Sequence, residues 1–241
     1  MDSPGLFEQA REAGCALFEG DFFTKPILNP DREVPASKLT YLQLLNEVHR
    51  PELSFEEMED LIKRDVGLTY KLLRFMNSVW FGLSYEVNSV RHALVLLGPE
   101  EVRQWVSLLT VRDMGDDKPR ELLLRSLSRA KLAETLAEVM RQRQMAPELF
   151  LLGMFSVIDA LTDTPMSQVL ENLPINDRVK NALVGVPGGT HRQLFEMILA
   201  YERADWETFD ARAAALRIDP RRVPPAVQEA LRWANEALNE V

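Results

Sequence analysis

The side chains with the widest chemical reach in this 241-residue sequence are three histidines, one cysteine and a surplus of carboxylates. Histidines hold a metal when a second ligand lies at a local spacing, such as four residues along one helix face. His49, His92 and His191 stand far apart, and none has another histidine or a cysteine nearby. His49 lies beside Arg50-Pro51 at a helix end, where it can cap carbonyls, and His92 follows Arg91 beside an apolar helix face. All three are expected to be structural or surface residues. Cys15 would need a base or a helix N-terminus to become a nucleophile, yet it precedes an apolar run, so a packing role is expected.

Two short patterns invite and then lose a catalytic reading. Gly185-Val186-Pro187-Gly188-Gly189 lacks the lysine and the preceding strand of a phosphate-cradling loop. Gly153-Met154-Phe155-Ser156-Val157 lacks the final glycine of a nucleophile elbow and falls in a helical stretch. Carboxylates are numerous enough that pairs at helical spacing arise by chance. From the residues alone no catalytic, cofactor-binding or metal-ligating residue is assigned.

The elements that would position such groups read as helices. Leu39, Leu42, Leu45 and Val48 recur every three residues behind Ser37, a candidate N-cap. Ser54-Phe55-Glu56-Glu57 is a capping box, and Asp65 caps a helix whose inner face carries Leu68, Leu72, Phe75 and Met76. Asn88-Ser89 starts a helix with Val90, Ala93, Leu94 and Leu97 inward; Gly98 stops it, and Pro99 opens the next. A long helix is expected from about 119 to 142 and another from about 147 to 161. Shorter ones are expected near 166–173, 177–184, 190–203, 206–216 and 224–238. The first 30 residues differ: a short helix over 4–13 ends at Gly14, and an aromatic run through Phe18, Phe22 and Phe23 reads as a strand. One helix and one strand cannot make a domain, so this segment reads as a fragment of something larger. The remainder is expected to be an all-α, globular multi-helix bundle.

Composition agrees. Hydrophobic residues make up 46%, enough for a substantial core, and eleven glycines with four tyrosines argue against a strand-rich fold. Basic residues number 28 against 37 acidic, a net charge of -9, and they are interspersed with acids, as in Glu56-Glu57-Met58-Glu59-Asp60 before Lys63-Arg64. Nucleic-acid binding needs clustered cations, so no nucleic-acid partner is expected. The apolar stretches read as too short for a bilayer and no signal sequence is visible, so neither membrane association nor export is expected. With a single cysteine, a cytoplasmic location is expected.

The run Asp65-Val66-Gly67-Leu68-Thr69-Tyr70-Lys71-Leu72-Leu73-Arg74-Phe75-Met76-Asn77-Ser78, followed by Phe81, Ser89, Ala93 and Leu97-Gly98, resembles the HDOD domain. The resemblance covers about 35–205. HDOD domains are similar to HD-type metal-dependent phosphohydrolases, which use one histidine and an adjacent His-Asp pair to bind metal. It implies that the first of these positions falls at Arg125 and the pair at Ser156-Val157. Arginine is cationic, serine is a poor ligand and valine is none, so a degenerate site is expected, with no metal and no cofactor. Leu6 to Gly14 and Phe18-Glu19-Gly20-Asp21-Phe22-Phe23-Thr24-Lys25-Pro26 are similar to the end of an EAL domain, the cyclic-di-GMP phosphodiesterase barrel.

These resemblances imply an EAL remnant over 1–30, an HDOD domain over 31–205 and a helical extension over 206–241. The expected role is a non-catalytic regulatory or output domain in bacterial signal transduction, not an enzyme. It would be linked to cyclic-di-GMP signalling and act through contact with a protein partner or an attached EAL domain. Two alternatives stay open: residual metal-dependent phosphohydrolase activity, and a small-ligand sensor in the degenerate pocket with Arg125 as anion contact. The remnant's aromatic strand also suggests self-association of the chain.

Overall fold

A computed structural model describes residues 4–16, 36–50, 52–77, 86–171, 173 and 175–240. In chain order the helices are α1 (Pro4–Glu12), α2 (Ala36–Val48), α3 (Phe55–Arg64), α4 (Val66–Met76), α5 (Val90–Leu97), α6 (Pro99–Met114) and α7 (Arg120–Val139). They continue with α8 (Ala146–Met154), α9 (Ile158–Thr162), α10 (Met166–Glu171), α11 (Asp177–Val184), α12 (Gly189–Glu202), α13 (Trp206–Leu216) and α14 (Val223–Glu240). Among the described residues there is no strand, and the all-α expectation holds. The strand expected over 17–23 lies outside the described residues.

Local chemistry sets most helix ends. The Ser54 hydroxyl accepts from the Glu57 amide at 3.2 Å while the Glu57 carboxylate accepts from the Ser54 amide at 2.8 Å. That reciprocal pair satisfies two orphan donors of α3. The Asp65 carboxylate accepts from the Leu68 amide at 3.0 Å, starting α4 one residue after α3 stops. Gly98, at φ 87°, closes α5 and opens α6 in a conformation that costs a residue with a Cβ. Asn77 ends α4: its amide donates to Leu73 O and Val87 O, and its carbonyl accepts from the Val87 amide. One side chain thus joins the two ends of the segment between α4 and α5.

Two expectations about local structure are corrected. Helix α2 begins at Ala36, so Ser37 is inside it rather than at its cap. Cys15 is exposed rather than packed, just past the left-handed Gly14, at φ 85°, that follows α1.

The apolar faces assemble into two adjoining cores. One is built by Val48, Met58, Ile62, Leu72, Met76, Ala93, Leu94 and the first half of α6. The other gathers α7 to α14 around Leu122, Ala133, Leu136, Phe150, Phe155, Leu161 and Leu194. Helices α2 and α6 belong to both: Leu45 and Val111 face the larger core, Val48 and Val106 the smaller. Two lysines brace the larger core, Lys38 buried and Lys118 half-buried. Lys38 Nζ donates to Asp117 at 2.8 Å and to Leu161 O at 2.5 Å, and Lys118 pairs with Asp163 at 2.7 Å. Cations at the C-terminal end of α9 complement its free carbonyls.

The stretch Arg143–Thr162 is long and apolar enough, by length and composition, to cross a membrane. This corrects the expectation of shorter apolar runs. Most of it is buried as core, and it is interrupted by a 3-10 turn over Phe155–Val157, so the helix expected over 147–161 is two helices.

Candidate functional site

That 3-10 turn carries the residues expected at the degenerate metal site, and α7 lies directly against it. The approach is possible because residue 153 is glycine. A Cβ there would stand 2.3 Å from the carbonyl carbon of Arg129 and 2.4 Å from the Ala130 nitrogen. The Ser126 hydroxyl, on the same face of α7, donates to Met154 O at 2.6 Å. Two helices are thus held backbone to backbone, and the chain after α8 tightens into the turn.

From α7, Arg129 faces the turn. Its Nη1 donates to Ser156 Oγ at 3.0 Å. Its Nε and Nη2 donate to the two carboxylate oxygens of Glu202, at the end of α12, at 2.8 and 2.6 Å. Its guanidinium carbon lies 6.0 Å from the centroid of the Phe195 ring. Arg129 is only 6% exposed, so a bidentate, charge-assisted pair offsets the burial of its charge. Arg125 lines a groove of about 450 Å³ beside the pair, bounded also by Ser128, Leu132, Tyr201, Glu202 and Leu231.

The Ser156 hydroxyl donates to Gly153 O at 2.6 Å and accepts from Arg129, so its proton faces a carbonyl rather than a base. Val157 is buried in the core at 2% exposure. Asp159, at the start of α9, accepts from the Ala160 amide at 2.9 Å. Burial pushes its carboxyl above the usual range, with that amide and the Arg129 charge opposing. Together these groups make a buried cation clamped between a serine and a carboxylate. Among the described residues no group of three or more His, Cys, Asp and Glu side chains could hold a metal ion.

The three histidines are not brought together. His49 Nε2 shares a hydrogen bond with Ser107 Oγ at 2.8 Å rather than capping carbonyls. Burial, with Arg103 nearby, lowers its pKa to about 4. His191 Nε2 meets Glu148 at 2.8 Å, and burial lowers its pKa against the pull of that carboxylate. The backbone amide of His92 donates to the α5 cap, Ser89. Arg129 and Glu202 are the pair that reading the sequence missed, because 73 positions separate them.

Residues 34–171 match the model of the HDOD domain family. The cyclic di-GMP phosphodiesterase CdgJ of Vibrio cholerae is 38% identical over 98% of the chain, a match that takes in 54% of CdgJ. The uncharacterized protein YuxH of Bacillus subtilis is 30% identical over 97% of the chain and 57% of its own length. The chain therefore spans about half the length of the curated relatives it matches. No solved structure matches it. The relationship to a protein named as a phosphodiesterase overturns the expectation that the chain is not an enzyme. The physical reason is plain: unsuitable residues at three positions speak for one metal site only, and carboxylates elsewhere are untouched by that argument.

Proposed function

The chain belongs to the HDOD domain family, and on that premise we propose that it is a regulatory signalling domain coupled to cyclic-di-GMP turnover. It acts through contact with a protein partner or an attached EAL domain in the bacterial cytoplasm. The observation that carries this reading is the long match to a cyclic di-GMP phosphodiesterase through a chain half its length. The clamp of Arg129, Ser156 and Glu202 supports it locally. In this reading a fixed guanidinium stands where an HD-type site would hold a metal, so Arg125, Ser156 and Val157 are remnants and the groove is braced for packing. Residues 1–30 are read as the end of an EAL domain, 31–205 as the HDOD domain and 206–241 as a helical extension packed on it. The test is to delete the coding sequence for residues 34–241 and quantify cellular cyclic di-GMP by mass spectrometry. A changed level is expected; a level equal to that of the intact gene refutes the coupling.

One observation favours a second reading, a small-ligand sensor. Arginine carries five N–H donors, and Arg129 spends three of them on Glu202 and Ser156 beside the groove. The two left over suit an anion. Calorimetric titration with inorganic phosphate tests this: saturable binding lost in Arg129→Met supports it, and no heat refutes it.

A further inference from the structure

At the seam between the two cores lies a cleft of about 470 Å³, within the range of ligand and anchor pockets. Its smaller-core side is floored by Phe75 and Trp105, ring centroids 6.1 Å apart and both buried but for an edge. On its larger-core side the half-buried Trp233 opens to the cleft and rests edge to face, at 6.0 Å, on the buried Phe150. Glu101 and Glu134 also line it. Aromatic faces carry negative potential, and cations settle over them. The cleft already holds one instance: Lys131 Nζ lies 5.7 Å from the centroid of Trp233. That ammonium is engaged by Glu134 at 2.8 Å, and Glu134 accepts from Gln104 at 3.1 Å. Glu101 is exposed and makes no ion pair among the described residues. Counting Glu101 and Glu134 against Lys131 leaves the lining at a net of -1, on a chain whose net charge is -9.

We propose that this cleft is the docking point for an arginine side chain carried by a basic segment of a partner protein. The proposal rests on the contact reading above and gives that partner a chemistry. A guanidinium is planar and weakly hydrated; it stacks on aromatic rings and pairs two N–H groups with one carboxylate. Lysine fits less well, since its compact ammonium keeps its hydration. An anionic ligand meets two carboxylates and is disfavoured. The cleft draws walls from α4, α5 and α6 on one side and from α7, α8 and α14 on the other. An arginine seated there touches both cores at once, which is how a contact at the surface reaches the packing between them.

The experiment titrates the purified chain with N-acetyl-arginine amide, following the indole N–H resonances of Trp105 and Trp233 by NMR. Saturable shifts are expected, weaker ones with N-acetyl-lysine amide, and none with N-acetyl-glutamate amide. Glu101→Lys, at an exposed position, is expected to weaken arginine binding by about tenfold or more, with circular dichroism confirming an intact fold. Arginine that binds no better than glutamate, or binding unmoved by Glu101→Lys, overturns the proposal. Placing Glu101→Lys in the gene keeps the two readings apart. A cyclic di-GMP level unmoved by deletion of the domain sinks the contact reading. A level that responds to the deletion, with no arginine binding, sinks the pocket alone.

Discussion

Gly153→Ala sets two physical effects against each other, and their signs differ. In a helix interior, glycine is destabilising by roughly 0.5–1 kcal/mol relative to alanine, so helix propensity alone predicts a more stable protein. The packing predicts the reverse. The new Cβ would lie 2.3–2.4 Å from three backbone atoms of Arg129 and Ala130, where ordinary contact begins at 3.4 Å. Relief requires α7 and α8 to part by about 1 Å, since no rotamer change moves a backbone atom. The seam they would open is apolar, lined by Ala130, Ala133, Leu149, Leu152 and Phe155. Overpacking of this kind costs about 1–3 kcal/mol, and a clash with backbone belongs at the upper end. Parting the helices also stretches the bonds from Ser126 to Met154 and from Arg129 to Ser156. The expected loss is about 3 kcal/mol, a large fraction of a typical domain's stability. Urea unfolding followed by circular dichroism measures it, with Gly115→Ala for comparison. At residue 115 the nearest atom, 2.5 Å away, belongs to the Leu123 side chain, which is able to shift, so the loss there is smaller. A Gly153→Ala protein as stable as the parent, or more so, would refute the close approach of α7 and α8.

Glu202→Leu leaves the buried Arg129 guanidinium without its carboxylate and is expected to cost about 3 kcal/mol. Arg129→Met should cost only about 1 kcal/mol, because the exposed Glu202 is rehydrated, and the two changes together should recover most of the Glu202→Leu loss, in the same unfolding assay. Stability should fall as the solution is acidified from pH 7 to pH 5. Folded His49 takes up its proton only near pH 4, whereas the unfolded residue does so near 6.5. The unfolded chain thus binds more protons in that window, and the loss from this residue is about 2 kcal/mol. His49→Gln should flatten the profile, leaving the same-signed contribution of His191; an unchanged slope counts against the burial of His49. Leu72→Ala, at a position with 0% exposure in the smaller core, should cost about 2–5 kcal/mol by denaturant midpoint. An unmoved midpoint would put Leu72 on the wrong face.

Helix ends and inner faces were legible in the sequence because they are local. A capping box, an aspartate N-cap or a glycine before a proline acts within four residues, so Ser54-Glu57, Asp65, Ser89 and Gly98-Pro99 lie where the pattern put them. The same holds for Leu68, Leu72, Phe75 and Met76, whose spacing alone gathers them on one side of α4. The resemblance to HDOD was also legible, since it rests on an ordered run of residue types. What acts between helices was not. The sequence does not say which side chain of α7 meets Ser156; the crossing of α7 over α8 decides that it is Arg129. That crossing depends on Gly153, whose missing side chain matters only because another backbone lies against it. Glu202 reaches Arg129 across 73 positions, and His49 reaches Ser107 across 58. Nothing local distinguishes these carboxylates, histidines and arginines from their solvated neighbours. Burial selects them: once packing removes water, a charge or an imidazole must find its partner inside the protein, and only the tertiary fold determines which one is near.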